Sequence, residues 1–261
     1  MEPSLLRDLL TVLLGFTAGY LSGMFGVGGA VLSTPGIRAL GAPALTAVGT
    51  TLPSILPSAI SGALRYRQAG LIVWSAVAWT VPAGMVAAVV GALLSEVVPG
   101  DGHLLQIATA GLLGFSAWRM ARARSATPIE PERVDGAGQP GRFAAVGTLA
   151  GLLSGLLGIG GGVVMVPGFT QVCRLDVKRA IATSLVCVGL FSIPGTVTHA
   201  LLGHIDWRFA FWLTVGVVPG ARLGAAATIA ADDRRVRLVV AGFLAVTAVV
   251  YALGEIVAVL R

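Results

Sequence analysis

The sequence predicts an all-α integral membrane protein of about eight transmembrane helices. They form two homologous four-helix repeats, each with a glycine-broken or re-entrant segment. Three observations predict this: very little charge, apolar blocks of membrane-spanning length, and a long internal repeat. Of 261 residues, 56% are hydrophobic and 11% charged, against roughly a quarter charged in an ordinary soluble domain. A bilayer core needs about 20 apolar residues per helix. Blocks of that length cover Leu9–Leu32, Leu45–Leu64, Val73–Leu94, Leu104–Met120, Phe143–Val166, Ala180–Leu202, Phe209–Ala231 and Leu238–Leu260. The alternating ten-residue segments of an outer-membrane barrel do not occur.

The first ten residues carry Glu2, Arg7 and Asp8, a poor start for a cleaved signal peptide, so the first block reads as a retained span. That block contains GYLSGMFGVGGAVLSTPG from Gly19, and the fifth contains GLLSGLLGIGGGVVMVPG from Gly151. At a constant offset of 132, more than half of the positions in these two apolar stretches are identical, without a gap. At an offset of 133 the match continues into the next blocks. Ala47, Thr50 and Leu52 pair with Ala180, Thr183 and Leu185, Thr51 pairs with Ser184, and Gly62, Gly70, Ile72 and Trp74 pair with Gly195, Gly203, Ile205 and Trp207. Residues 1–121 thus read as one transmembrane repeat, the polar 122–142 as a linker, and 143–261 as the second repeat. Duplicated membrane units are common in secondary transporters, which bind substrate between the repeats near mid-membrane. A duplicated scaffold or assembly subunit is the competing reading.

Gly19, Ser22, Gly23 and Gly26, like Gly151, Ser154, Gly155 and Gly158, follow i, i+3, i+4, i+7 spacing. They form a smooth helix face suited to close packing in lipid. The glycines that follow are different. Gly28-Gly29 and Gly160-Gly161-Gly162, with Pro35 and Pro167 downstream, are too permissive for a plain helix interior. Backbone loosened at membrane depth must line a cavity or bury itself in protein. A fresh half-helix beginning there would aim its N-terminal dipole at an anion. Two such breaks could converge on one substrate.

The charge inventory agrees on the sign of that substrate. No carboxylate falls mid-span; Glu96 and Glu255 lie near span ends and the other acids in loops or at the start. Intramembrane ionisable groups usually mark ion pathways, so a cation route is disfavoured. Arg222, in GARLG just after Pro219, falls inside the seventh block and suits recognition of an oxyanion, with snorkelling to an interface as the bland reading. Thr50, Thr51, Thr183 and Ser184 are repeat-related hydroxyls that either donate to an anion or bond their own helix. His199, whose repeat partner is Tyr66, is a proton carrier or a locally satisfied helix-end histidine. The +6 charge comes from basic residues scattered at span ends and loops, with no basic face or aromatic platform for nucleic acid. Cys173 and Cys187, one in a loop and one in a span, suggest neither disulfide nor metal. No metal, cofactor or catalytic residue is expected. The expected partners are a small anionic solute and the lipid bilayer, with a homo-oligomer left open.

These motifs resemble the sulfite exporter TauE/SafE family of membrane permeases. The resemblance lies in GYLSGMFGVGGAVLSTP and GLLSGLLGIGGGVVMVP, in AVGTTL and AIATSL, and in HALLGHIDW with its echo RYRQAGLIVW. It implies a transporter of sulfur-containing anions such as sulfite or organosulfonates, in a bacterial cytoplasmic membrane. The first half departs from the pattern at Ala30, where the second has Gly162. An intramembrane enzyme is disfavoured, because a serine–histidine dyad would have to recruit Ser154 from the packing face. If all eight blocks cross the membrane, the ends holding the termini carry Arg7, Arg65, Arg67, Arg119, Arg122, Arg124, Arg133, Arg142, Arg208 and Arg261. The other ends carry Arg38, Arg174, Lys178, Arg179, Arg234, Arg235 and Arg237. That division leans toward cytoplasmic termini. Re-entrant glycine segments would instead allow inverted halves.

Overall fold

The computed structural model describes residues 5–95, 103–122, 139–157 and 161–259, and their regular structure is entirely helical. In order these are α1 (Leu5–Phe25), α2 (Ala30–Ala39), α3 (Ala44–Gln68), α4 (Trp74–Ser95), α5 (His103–Arg122), α6 (Pro140–Leu157), α7 (Gly162–Gln171), α8 (Val177–Leu201), α9 (Trp207–Ala230) and α10 (Asp233–Val259). Five helices among the described residues are long and apolar enough to cross a membrane: Leu5–Phe25, Thr46–Gln68, Trp74–Gly91, Val177–Leu201 and Trp207–Ala230. Their outer faces are apolar, with Leu9, Val86, Val197 and Phe211 all exposed. That is the surface a bilayer covers, and this is a multi-pass membrane protein. Most of the expected linker, residues 123–138, lies outside the described residues.

Two of the expected spans are each two helices. The block Leu9–Leu32 stops at Phe25, because Gly26, Gly28 and Gly29 take φ values of 69°, 87° and 71°. Only glycine enters that left-handed region without cost. The chain then reverses: Gly29 lies beside Ala18 and Ser22, while Gly36, seven residues on, lies beside Leu14. Thus α2 runs back down α1. The block Phe143–Val166 behaves alike, with Gly161 beside Ala150 and Gly168 beside Val146, so α7 runs back along α6. Pro35 and Pro167 sit within α2 and α7 and do not end them.

Close glycine contacts fix the directions of the long helices. Gly15, Gly19 and Gly23 of α1 meet the backbone of Leu213, Val217 and Ala221, and Gly216, Gly220 and Gly224 answer from α9. The registers advance together, so α1 and α9 are parallel. Gly147 and Gly151 of α6 meet Thr80 and Gly84 in the same way, so α6 and α4 are parallel. Small residues permit this because lipid offers no hydrophobic drive and backbone proximity must supply the packing. Helices α3 and α8 run oppositely: Leu52 faces Gly195, Ala59 faces Gly189, and Gly62 faces Leu185.

The helix ends follow from this. The start of α1 is tied to the start of α9 by Asp8 and Arg208, at 2.6 Å, and Thr50 near the start of α3 holds Asp206 there. The start of α8 meets the end of α9 through Lys178, whose Nζ donates to Ile229 O at 3.2 Å. Because α2 and α7 double back, the division of basic residues expected for eight simple crossings does not hold. At the end holding the α1 start lie Arg7, Arg38 and Arg208. At the opposite end lie Arg65, Arg67, Arg142, Arg174, Lys178, Arg179, Arg234, Arg235 and Arg237.

Candidate functional site

The two glycine breaks meet. A Cβ on Gly162 would lie 2.6 Å from Gly26 O, 2.7 Å from Val27 Cα and 2.9 Å from Val188 Cγ2. Gly28 stands between Val188 of α8, which its Cβ would strike, and Ile55 of α3, 3.6 Å away. Ile55 and Val188 are separated by 133 residues, the repeat offset, and each sits near the middle of a helix of 25 residues. The meeting point is therefore roughly midway along the two longest central helices. Gly29 caps α2 in the left-handed conformation, and Gly161 occupies the matching place before α7 with φ −56°. Gly160 lies outside the described residues.

Three of the last four carbonyls of α1, those of Ser22, Gly23 and Met24, and the carbonyl of Gly26 just beyond it are occupied. Gly26 N–H donates to Ser22 O at 2.8 Å. Tyr66 OH donates to Gly23 O at 2.6 Å, Thr228 Oγ1 to Met24 O at 3.1 Å, and Ser184 Oγ to Gly26 O at 2.8 Å. Three different helices, α3, α9 and α8, supply these hydroxyls. The donors on the other side of the break are open: the N–H groups of Val27, Gly28 and Gly29 bond to no described residue. The hydroxyl of Ser22, 1% exposed, has no partner either.

The hydroxyls singled out in the sequence divide by place. Ser184 is at the break. Thr51 Oγ1 donates to Val48 O at 2.9 Å and lies 3.2 Å from Thr34 Oγ1 of α2, which ties the re-entrant helix to α3. Thr50 and Thr183 are elsewhere, clamping the two loops that precede α9 and α4. Asp206 N donates to Thr50 Oγ1 at 2.9 Å, and Val73 N to Thr183 Oγ1 at 3.1 Å. Asp206 and Val73 are themselves 133 residues apart, so one clamp serves both halves.

His199 and Arg222 are not brought to the glycines. His199 is near the end of α8, its ring 5.5 Å from that of His204, and its Nδ1 lies 3.0 Å from a Cβ position on Gly49. Eleven residues separate it from Val188, about 16 Å along the helix. Arg222 is exposed on the outer face of α9, beside Ala221, whose backbone packs on Gly23. A surface cleft of about 340 Å³ lies one turn further along α9, lined by Arg65, Gln68, Ala69, Ala226, Ile229 and Ala230. It opens at the arginine-rich end.

Sequence reasoning placed Ser22 on the packing face and left Tyr66 unassigned except as the partner of His199. Nothing in the sequence marked Thr228. Only Ser22 carried a usable signal: a hydroxyl one helical turn before a run of glycines.

Residues 11–251 match the family model described as sulfite exporter TauE/SafE. The probable membrane transporter protein YunE of Bacillus subtilis is 28% identical over 84% of this chain and 87% of its own length. A probable membrane transporter protein of Xylella fastidiosa is 27% identical, covering 83% of each chain. One from Methanocaldococcus jannaschii is 26% identical over 91% of this chain and 92% of its own. No solved structure matches the chain.

Proposed function

The chain belongs to the sulfite exporter TauE/SafE family of membrane transporters, and from that membership we propose that it carries a small sulfur-containing anion by alternating access. Sulfite or an organosulfonate is the substrate class. The observation that carries this reading is the meeting of the two glycine breaks between the midpoints of α3 and α8. Broken helices at mid-membrane are how transporter folds present backbone dipoles to a substrate, and the repeats rock around such a site.

Residues 1–121 and 143–261 act as inverted repeats joined by 122–142. The opposed directions of α3 and α8 support this, as do the recurring contacts of α1 on α9 and α6 on α4 under the repeat offset. The arginine-rich end faces the cytoplasm of a bacterial cell, since basic loops are retained inside; the termini then lie outside. The substrate sits where Gly28 and Gly29 face Gly161 and Gly162, with Ser184 and Thr51 ordering the backbone around them. Thr50 and Thr183 serve the loops. Arg222 and His199 act away from the binding point, Arg222 at the lipid surface and His199 near the outer mouth.

Thermal stability of the purified protein against sulfite, sulfate, thiosulfate, sulfoacetate and taurine, with simple cations as controls, tests this. Binding to the folded state alone raises stability by about 2.7 kcal/mol at a hundredfold excess over Kd. The expected result is a selective rise for a sulfur oxyanion that disappears in Gly162→Leu. A flat response to every anion by folded protein overturns the proposal and favours a scaffold.

A further inference from the structure

The hydrogen bonds around the first break are arranged by sign. A helix ends with partial negative charge on its free carbonyls and begins with partial positive charge on its free N–H groups. At Gly26–Gly29 the end of α1 and the start of α2 face the same spot, so an anion there would meet both. The repelling side is largely neutralised: Tyr66 and Thr228 spend hydroxyl protons on the α1 carbonyls of Gly23 and Met24, the Gly26 amide takes that of Ser22, and Ser184 caps the Gly26 carbonyl just past the helix. On the other side, the amides of Val27, Gly28 and the cap residue Gly29, leading into α2, bond to no described residue.

Ser22 stands beside that open side. Its Cβ is 3.5 Å from the place a Cβ on Gly29 would take, and Gly29 is the cap of the ten-residue α2. A helical serine normally bonds back to its own backbone, as Ser33 does to Gly29 O and Ser192 to Gly189 O. Ser22 does not. Its hydroxyl is buried and unpartnered, and Ser58, one turn beyond Ile55 on α3, is the other buried serine in that state among the described residues. An unsatisfied buried hydroxyl calls for a ligand or a use.

We propose that the anion is held asymmetrically, by the first break alone, in a cradle formed by the N–H groups of Val27, Gly28 and Gly29 and the hydroxyl of Ser22. The second break closes the cradle and does not mirror it: Gly162 presses on Gly26 and Val27. Ile55 and Val188 form apolar walls, which strengthen each hydrogen bond to a charged group. The ligand class is a compact oxyanion with at least two acceptor oxygens, one for the amides and one for Ser22. This rests on the transport reading above, and deepens it by naming the donors.

The test compares Ser22→Ala with Ser154→Ala, its repeat equivalent, for sulfite binding by thermal shift and for sulfite flux in proteoliposomes. Ser22→Ala is expected to weaken binding about tenfold and raise KM likewise with little change in maximal flux. It also raises the ligand-free melting temperature, because a buried unpaired hydroxyl is gone. Ser154→Ala leaves binding and KM at wild-type values. Tyr66→Phe frees the Gly23 carbonyl and weakens sulfite binding without touching it. Wild-type affinity in Ser22→Ala, or equal loss in the two serine variants, overturns the cradle while the transport reading stands. No sulfite response in the wild type overturns both.

Discussion

Replacing Thr183 with Val separates a loop clamp from a substrate ligand. Thr183 is fully buried, and its Oγ1 accepts from Val73 N at 3.1 Å across 110 residues of chain. Valine matches threonine in shape, so the substitution opens no cavity and removes one acceptor. The Val73 N–H is then left unpaired where water cannot reach it, at a cost of roughly 1–3 kcal/mol. Thr50→Val does the same to the Asp206 N–H, which is only partly buried, so its cost belongs at the lower end of that range. The clamps hold different loops and share no partner, so the double variant should lose about the sum, roughly 2–5 kcal/mol. At about 2–4 °C per kcal/mol for a chain of this size, Thr183→Val should melt several degrees low and the double variant lower still. The assay is thermal unfolding in detergent beside anion flux per folded molecule in proteoliposomes. Both threonines should lower stability and leave KM unchanged. A tenfold rise in KM at unaltered melting temperature would refute the clamp and return these hydroxyls to the substrate.

Gly28→Ala should be poorly tolerated for two separable reasons: φ of 87° costs an L residue about 1–2 kcal/mol, and the new methyl strikes Val188. Adding Val188→Ala should recover the steric part and leave the backbone part, as read by melting temperature. Orientation is read by a membrane-impermeant maleimide on right-side-out vesicles. A cysteine replacing the exposed Leu202 should label at once, and one replacing the exposed Arg235 only after the membrane is opened; the reverse order would invert the assignment. The native background is quiet, since burial pushes the Cys173 thiol up to about 11 and keeps it neutral near pH 7, while Cys187 is buried in α8.

The helices and the place of the breaks were legible because both are properties of local composition. Twenty apolar residues announce membrane-spanning length, though Leu9–Leu32 and Phe143–Val166 each proved to be two helices, because three glycines within four positions cannot continue a helix interior at ordinary cost. What Thr50 and Thr183 hold was not legible. A threonine in a helix bonds equally well to its own backbone, and the choice of Asp206 and Val73 is made by loops 156 and 110 residues away. Arg222 misled for a related reason. Its depth along α9 is readable from the chain, but its azimuth is set by which residues α9 turns toward α1, and Gly216, Gly220 and Gly224 claim that face.

The reversal at each break also decides how charge is distributed. Were α1 and α2 one straight span, Arg38 would sit beside Arg174 and Lys178 in the count, and the two ends of the protein would be nearly balanced. With α2 returning along α1, Arg38 joins Arg7 and Arg208, and the bases of the α3–α4, α7–α8 and α9–α10 connections gather at the other end. The same fold-back places the start of α2 against the end of α1. A pair of opposed helix termini is neutral to an anion unless one is capped, and here Tyr66, Thr228 and Ser184 cap the negative one. The glycines make the turn, but the hydroxyls of three other helices give it a sign.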